Sequence, residues 1–137
     1  MATVSVRYIV DDVDVAIEFY QRLGFRVNMH PAPAFAMLSR GDLRLLLSAP
    51  GGGPGGGAAT PDGRLPEPGG WNRFQLEVAD VETQIEQLRA QGATFRNELV
   101  TGIGGRQILV EDPSGNLVEL FEPTRDEARL GAQPEHG

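Results

Sequence analysis

Covalent and metal chemistry need particular side chains, and this chain of 137 residues supplies few of them. It has no cysteine, which excludes disulfides, thiolate metal sites and a cysteine nucleophile. Its two histidines are His30, beside Pro31 and Pro33 in an expected turn, and His136, next to the last residue. Neither belongs to a recognisable Ser/His/Asp set. The glycine run of residues 51–57 has spacings of the phosphate-loop kind. Ala58-Ala59-Thr60-Pro61 follows, however, where that mechanism needs a helix to open, so the run reads as a linker. The 19 acidic and 12 basic residues give a formal net charge of −7, which argues against nucleic acid and anionic membranes as partners. Small molecules and proteins are left. No apolar run approaches the roughly 18 residues of a membrane span, and Met1-Ala2-Thr3-Val4-Ser5 has no leader pattern, so a cytoplasmic protein is expected.

The elements that must position any site occur twice. Val10-Asp11-Asp12-Val13-Asp14, Ile17-Glu18 and Gly24 recur 68 positions later as Val78-Ala79-Asp80-Val81-Glu82, Ile85-Glu86 and Gly92. A half-length unit that cannot cover its own apolar face is completed by its copy, and the seam between copies is where a cavity is expected. Residues 3–10 alternate as a half-buried strand, with Val4, Val6, Tyr8 and Val10 on one face and Ser5, Arg7 and Ile9 on the other. Asp12 can cap a helix whose apolar stripe is Val13, Ala16, Ile17 and Tyr20, with Gly24 ending it. Strands are expected at residues 25–29, 35–39 and 43–48. The second copy predicts a strand over 71–78, a helix over 80–91, and strands near 94–99, 107–111 and 117–122. Asp112-Pro113-Ser114-Gly115-Asn116 predicts a tight hairpin turn.

These residues resemble the vicinal oxygen chelate superfamily, which includes glyoxalases, extradiol dioxygenases, fosfomycin-modifying enzymes and bleomycin-binding resistance proteins. The resemblance runs from about Val4 to Pro123. It is carried by Val10-Asp11-Asp12-Val13 with Phe19-Tyr20 and Leu23-Gly24-Phe25, by Leu76-Glu77-Val78-Ala79-Asp80-Val81, and by Glu111-Asp112-Pro113-Ser114-Gly115-Asn116-Leu117-Val118-Glu119-Leu120. It implies an α+β fold of two βαβββ modules with cup-shaped sheets and a homodimer. One domain over 1–123 is expected, with module one at 3–50, a Gly/Pro-rich linker at 51–70 and module two at 71–123. A polar tail fills 124–137.

Metal-using relatives place ligands on the first and fourth strands of each module. By the internal repeat those places are Ser5 and Arg73, equally far before Val10 and Val78, and Leu45 and Glu119, each four residues after a turn glycine. Only Glu119 is a competent ligand, and Arg73 brings a positive charge to the place of a cation. No metal and no cofactor are therefore expected, and an Arg73–Glu119 ion pair is expected instead.

Strand alternation sends Ser5, Arg7, Leu45, Arg73, Gln75, Glu119 and Phe121 to the concave side, with Trp71 at its rim and Phe35 and Met37 on a neighbouring strand. A mostly apolar lining with a few polar groups suits a flat, partly aromatic ligand. The leading expectation is thus a metal-free binding protein of the bleomycin-resistance type that sequesters an antibiotic or secondary metabolite, with no catalytic residue. The alternative is a glyoxalase-like lyase or isomerase, or a dioxygenase-like enzyme, using Glu119. Arg106, in the loop before the seventh strand, is expected in solvent or at a ligand's polar edge.

Overall fold

The computed structural model of the chain describes residues 4–51 and 56–124. They form two compact units, one reaching Trp71 and taking back Asp112–Asn116, the other comprising Asn72–Glu111 and the chain from Leu117. The first unit holds β1 (Val4–Ile9), α1 (Val13–Arg22), β2 (Arg26–Ala32), β3 (Phe35–Arg40) and β4 (Leu43–Ser48). The second holds β5 (Arg73–Glu77), α2 (Val81–Ala90), β6 (Thr94–Phe95), β7 (Val100–Thr101), β8 (Gly105–Glu111) and β9 (Leu117–Pro123). The fold is α+β, with sheet orders β1-β4-β3-β2 and β5-β9-β8-β6, and β7 also pairs with β8. In each unit the first strand runs parallel to the last. No helix among the described residues is long and apolar enough to cross a membrane.

The repeat is visible in the helix ends. Asp12 accepts from the Val15 N–H and Asp80 from the Thr83 N–H, both at 3.2 Å, satisfying donors that a helix start leaves open. Past the helix ends Gly24 and Gly92 stand at φ 90° and 85°, a conformation that costs a side-chain-bearing residue.

In the first unit α1 buries Val13, Ala16, Ile17, Phe19 and Tyr20, and the sheet buries Tyr8, Ala36, Leu38, Leu45 and Leu47. Register decides which sheet face that is. Val6, Leu45 and Leu38 form one row across β1, β4 and β3, and Tyr8, Leu47 and Ala36 the next. Ser5 pairs with Arg44 and Arg7 with Leu46, so the face carrying Ser5 and Arg7 takes Arg44, Leu46 and Ser48 from β4. The expectation that Leu45 shares the concave side with Arg7 is therefore wrong. The turn glycines are poor anchors, because Arg44, opposite Ser5, lies three residues after Gly41, whereas Leu117, opposite Arg73, lies two after Gly115. A one-residue offset moves a whole strand's side chains to the other face. The counterpart of Glu119 is Leu46.

In the second unit Leu76, Ile85, Leu88, Ile108, Val110, Val118 and Leu120 are buried. A carboxylate ties α2 to the sheet: Glu122 accepts from the Val81 N–H at 2.9 Å and from Arg106 at 3.0 Å. Arg106 also reaches Glu82 at 2.9 Å, so it bonds Glu82 and Glu122 on the strand face opposite Glu119, with neither expected role. The helix N–H and then the guanidinium hold the Glu122 carboxyl below its ordinary range. A lowered folded value means that its stabilisation is present above the unfolded pKa and is lost as pH falls through the folded one. Glu122→Gln should lower the melting temperature by about 3 °C at neutral pH. It should also lose less stability than wild type between about pH 5 and 3, read by thermal scans in both buffers. Equal slopes would remove Glu122 from the acid response.

The single strand expected at 94–99 is instead the two-residue β6 and β7. Between them the Asn97 side chain accepts from the Leu109 N–H at 2.8 Å, occupying a donor that a regular ladder would use. The expected linker over 51–70 lies partly outside the described residues. Its described part makes turns: the Gly51 N–H reaches the Gly57 carbonyl at 2.6 Å, and Thr60 and Arg64 close a loop at 2.8 Å. His136 and the tail beyond Thr124 lie outside the described residues.

Candidate functional site

On the open face of the first sheet three rows run across the strands. They are Ser5, Arg44, Ser39 and Arg26; then Arg7, Leu46 and Met37; then Ile9, Ser48 and Phe35. Of the expected residues, Ser5, Arg7, Phe35 and Met37 are brought together here, Phe35 and Met37 half-buried and Ser5 and Arg7 exposed. Arg7 Nη1 donates to Ser48 Oγ at 2.8 Å, and Ser48 is buried. At the β3–β4 end a hollow of about 260 Å³ is lined by Asn28, Met37, Ser39, Gly41, Asp42, Leu43 and Arg44. Leu45 is fully buried on the opposite face. Trp71 also belongs to the first unit, two residues before β5 rather than in it, and is 66% exposed. His30 lies within β2, not in a turn, with Nε2 3.7 Å from Asp14.

In the second unit one face carries Arg73, Gln75 and Glu77 from β5 opposite Leu117, Glu119 and Phe121 from β9. Glu119 is only 7% exposed, which a carboxylate tolerates when both oxygens are bonded. Arg73 Nε donates to Oε1 at 3.1 Å and Gln75 Nε2 to Oε2 at 2.7 Å. The expected ion pair is present, and Gln75 completes it. Phe121 sits half-buried one row away.

The hairpin turn holds a polar cluster that sequence reasoning saw only as a turn. Asp112 accepts from the Tyr20 hydroxyl at 2.8 Å, from the Ser114 and Asn116 N–H groups at 2.9 Å, and from the Asn116 amide at 3.1 Å. Asn116 also donates to the Ile9 carbonyl at 2.8 Å and accepts from the Gly69 N–H at 2.8 Å. Burial raises the Asp112 carboxyl above its ordinary range despite these donors, and raises the Tyr20 hydroxyl well above its own. In the sequence Tyr20 reads as one more apolar stripe residue, and its hydroxyl is the one signal of a buried partner.

With the register known, the places where relatives hold metal ligands read Ser5 and Leu46 in the first unit and Arg73 and Glu119 in the second. A catalytic divalent ion wants about three imidazole or carboxylate ligands. Here the single carboxylate already bonds a guanidinium and an amide. The residues do not fit a metal, and among the described residues no group of three potential ligands converges elsewhere.

Comparison with known proteins agrees with this architecture. A sequence profile of the Glyoxalase/Bleomycin resistance protein/Dioxygenase superfamily matches residues 3–120, and the chain belongs to that superfamily. Its structure is similar to a lactoylglutathione lyase from Agrobacterium tumefaciens (TM-score 0.68, 23% identity, 88% of this chain and 92% of that one). It is equally similar to TnmS3, an antibiotic binding protein from Streptomyces sp. CB03234 (TM-score 0.68, 22% identity, 90% and 97%). A superfamily member from Sphaerobacter thermophilus is 26% identical at a TM-score of 0.68, over 89% and 97% of the chains. An uncharacterised protein of Mycolicibacterium smegmatis is 24% identical over 115 residues, 84% of this chain and 88% of that protein.

Proposed function

We propose that this protein binds a bulky, partly aromatic small molecule and sequesters it without transforming it. The observation that carries the reading is that both Glu119 oxygens are engaged, one by Arg73 and the other by Gln75. A carboxylate so engaged is a poor metal ligand and a poor general base, whereas the guanidinium beside it can orient a carbonyl or acidic group of a ligand. In the first unit half-buried Phe35 and Met37, with exposed Trp71, offer apolar and stacking surface, and in the second half-buried Phe121 lies one row from Glu119. The likeness to an antibiotic binding protein supports the same reading. A homodimer is part of it, since β2 leaves a sheet edge exposed at all seven of its residues.

The test pairs thermal-unfolding scans against a panel of aromatic antibiotics with scans against divalent metals and chelator. The reading expects stabilisation by an antibiotic, with quenching of Trp71 fluorescence and about tenfold weaker binding in Trp71→Ala. The likeness to a lactoylglutathione lyase makes metal-dependent lyase chemistry the competing reading. A reproducible upward shift with one metal, abolished in Glu119→Ala, would establish that alternative.

A further inference from the structure

The open face of the first sheet is cationic in a chain whose acidic residues outnumber its basic ones by 19 to 12. Its three rows contain Arg7, Arg26 and Arg44 and no carboxylate. None of the three arginines has an ion-pair partner among the described residues, and Arg22, Arg40 and Arg89 elsewhere have none either, so it is the gathering of three on one face that sets these apart. Arg26 and Arg44 share a row two strands apart, or about 10 Å, and Arg7 is diagonal to Arg44 at about 7–8 Å. Like charges held this close repel one another, and the repulsion is relieved when an anion binds.

Two further observations make the face more than a set of solvated arginines. Arg7 is held in place, with Nη1 on the buried Ser48 hydroxyl and the glycine backbone at position 56 against it. A Cβ added at Gly56 would stand 1.7 Å from Nη1. Arg44 lines the 260 Å³ hollow with the donors Asn28 and Ser39, and the carboxylate of Asp42 lines it too without an ion pair to Arg44 among the described residues. Met37 belongs to that lining too, and Phe35 lies one row beyond Met37 on the same face. Apolar surface and guanidinium groups thus share one face.

We infer that the ligand of the proposed sequestration is an anion: an aromatic compound with a carboxylate, sulfonate or phosphate group, bound by Arg7 and Arg44 with Arg26 adding charge. The inference rests on the sequestration reading and narrows its ligand class.

The test compares two dyes with the same ring system, 8-anilinonaphthalene-1-sulfonate and the uncharged N-phenyl-1-naphthylamine, by fluorescence titration of the full chain. The sulfonate should bind at least about tenfold more tightly and weaken as salt is raised. Arg7→Gln and Arg44→Gln should each cost about three- to tenfold for the sulfonate and leave the neutral dye unchanged. Arg64→Gln, an exposed arginine elsewhere in the first unit, should change neither. Gly56→Ala gives an independent handle. Its clash is with the flexible end of a side chain, so the melting temperature should hold while Arg7 is displaced and sulfonate affinity falls. Equal affinities for both dyes, or unaltered sulfonate binding in the arginine variants, would overturn the inference and leave sequestration of a neutral aromatic standing. Binding of neither dye would overturn both. If sulfonate binding is unchanged but the arginine variants sediment as monomers where wild type is a dimer, the face belongs to a second copy of the chain and the inference fails.

Discussion

Replacing Asn116 with alanine should cost about 3 kcal/mol of stability, equivalent to roughly 10 °C in melting temperature, although the residue belongs to a surface hairpin turn. The amide makes three hydrogen bonds at once, to the Ile9 carbonyl, the Gly69 N–H and Asp112. The residue is only 4% exposed, so water has little access to the groups left behind. Each orphaned buried group costs about 1–3 kcal/mol, which outweighs the small side-chain entropy recovered. Tyr20→Phe removes one bond and leaves Asp112 its other donors, so it should cost only about 1 kcal/mol. Urea unfolding of both variants measures the difference. A loss below about 1 kcal/mol for Asn116→Ala would mean that solvent replaces the amide.

The same cluster carries a pH signature opposite in sign to that of Glu122. Burial raises the Asp112 carboxyl, so its contribution is fully present below the unfolded pKa and is lost as pH rises through the folded one. Asp112→Asn should therefore flatten the stability profile just above the ordinary carboxylate range.

Leu45→Ala and Leu46→Ala, adjacent on β4, should differ by at least 2 kcal/mol. Leu45 is fully covered, and truncating a buried leucine removes transfer energy and leaves a cavity, about 3 kcal/mol together. Leu46 lies half-exposed opposite Arg7, so its truncation should cost less than about 1 kcal/mol. Denaturant midpoints at constant slope give both values. The reverse order would mean that β4 is in the other register, with Leu45 beside Arg7.

That pair also shows where the sequence stopped being legible. Period-2 alternation in β1 correctly separated Ser5 and Arg7 from Tyr8, because alternation is intrinsic to one strand. Which residues of β4 join them depends on pairing between strands. The two modules place their turn glycines differently by one residue, and no local pattern reveals that. Arg44, Leu46 and Ser48 were missed for this reason. In the second module the same reasoning placed Gln75, Glu119 and Phe121 on one face, because there the offset from the turn matched the register.

The sequence by itself determined the two helices with their aspartate caps and glycine ends, the duplicated strand–helix grammar and the superfamily, all of which rest on local spacing repeated in two copies. It also determined the absence of cysteine and the scarcity of histidine, which are matters of composition. Only the tertiary structure decided that Gln75 completes the Arg73–Glu119 pair, that Asp112 and Asn116 bond back to Tyr20 and Ile9, and that three arginines share one face. These are relations between residues as far as 107 positions apart, set by strand register and burial, and local residue patterns carry no information about either.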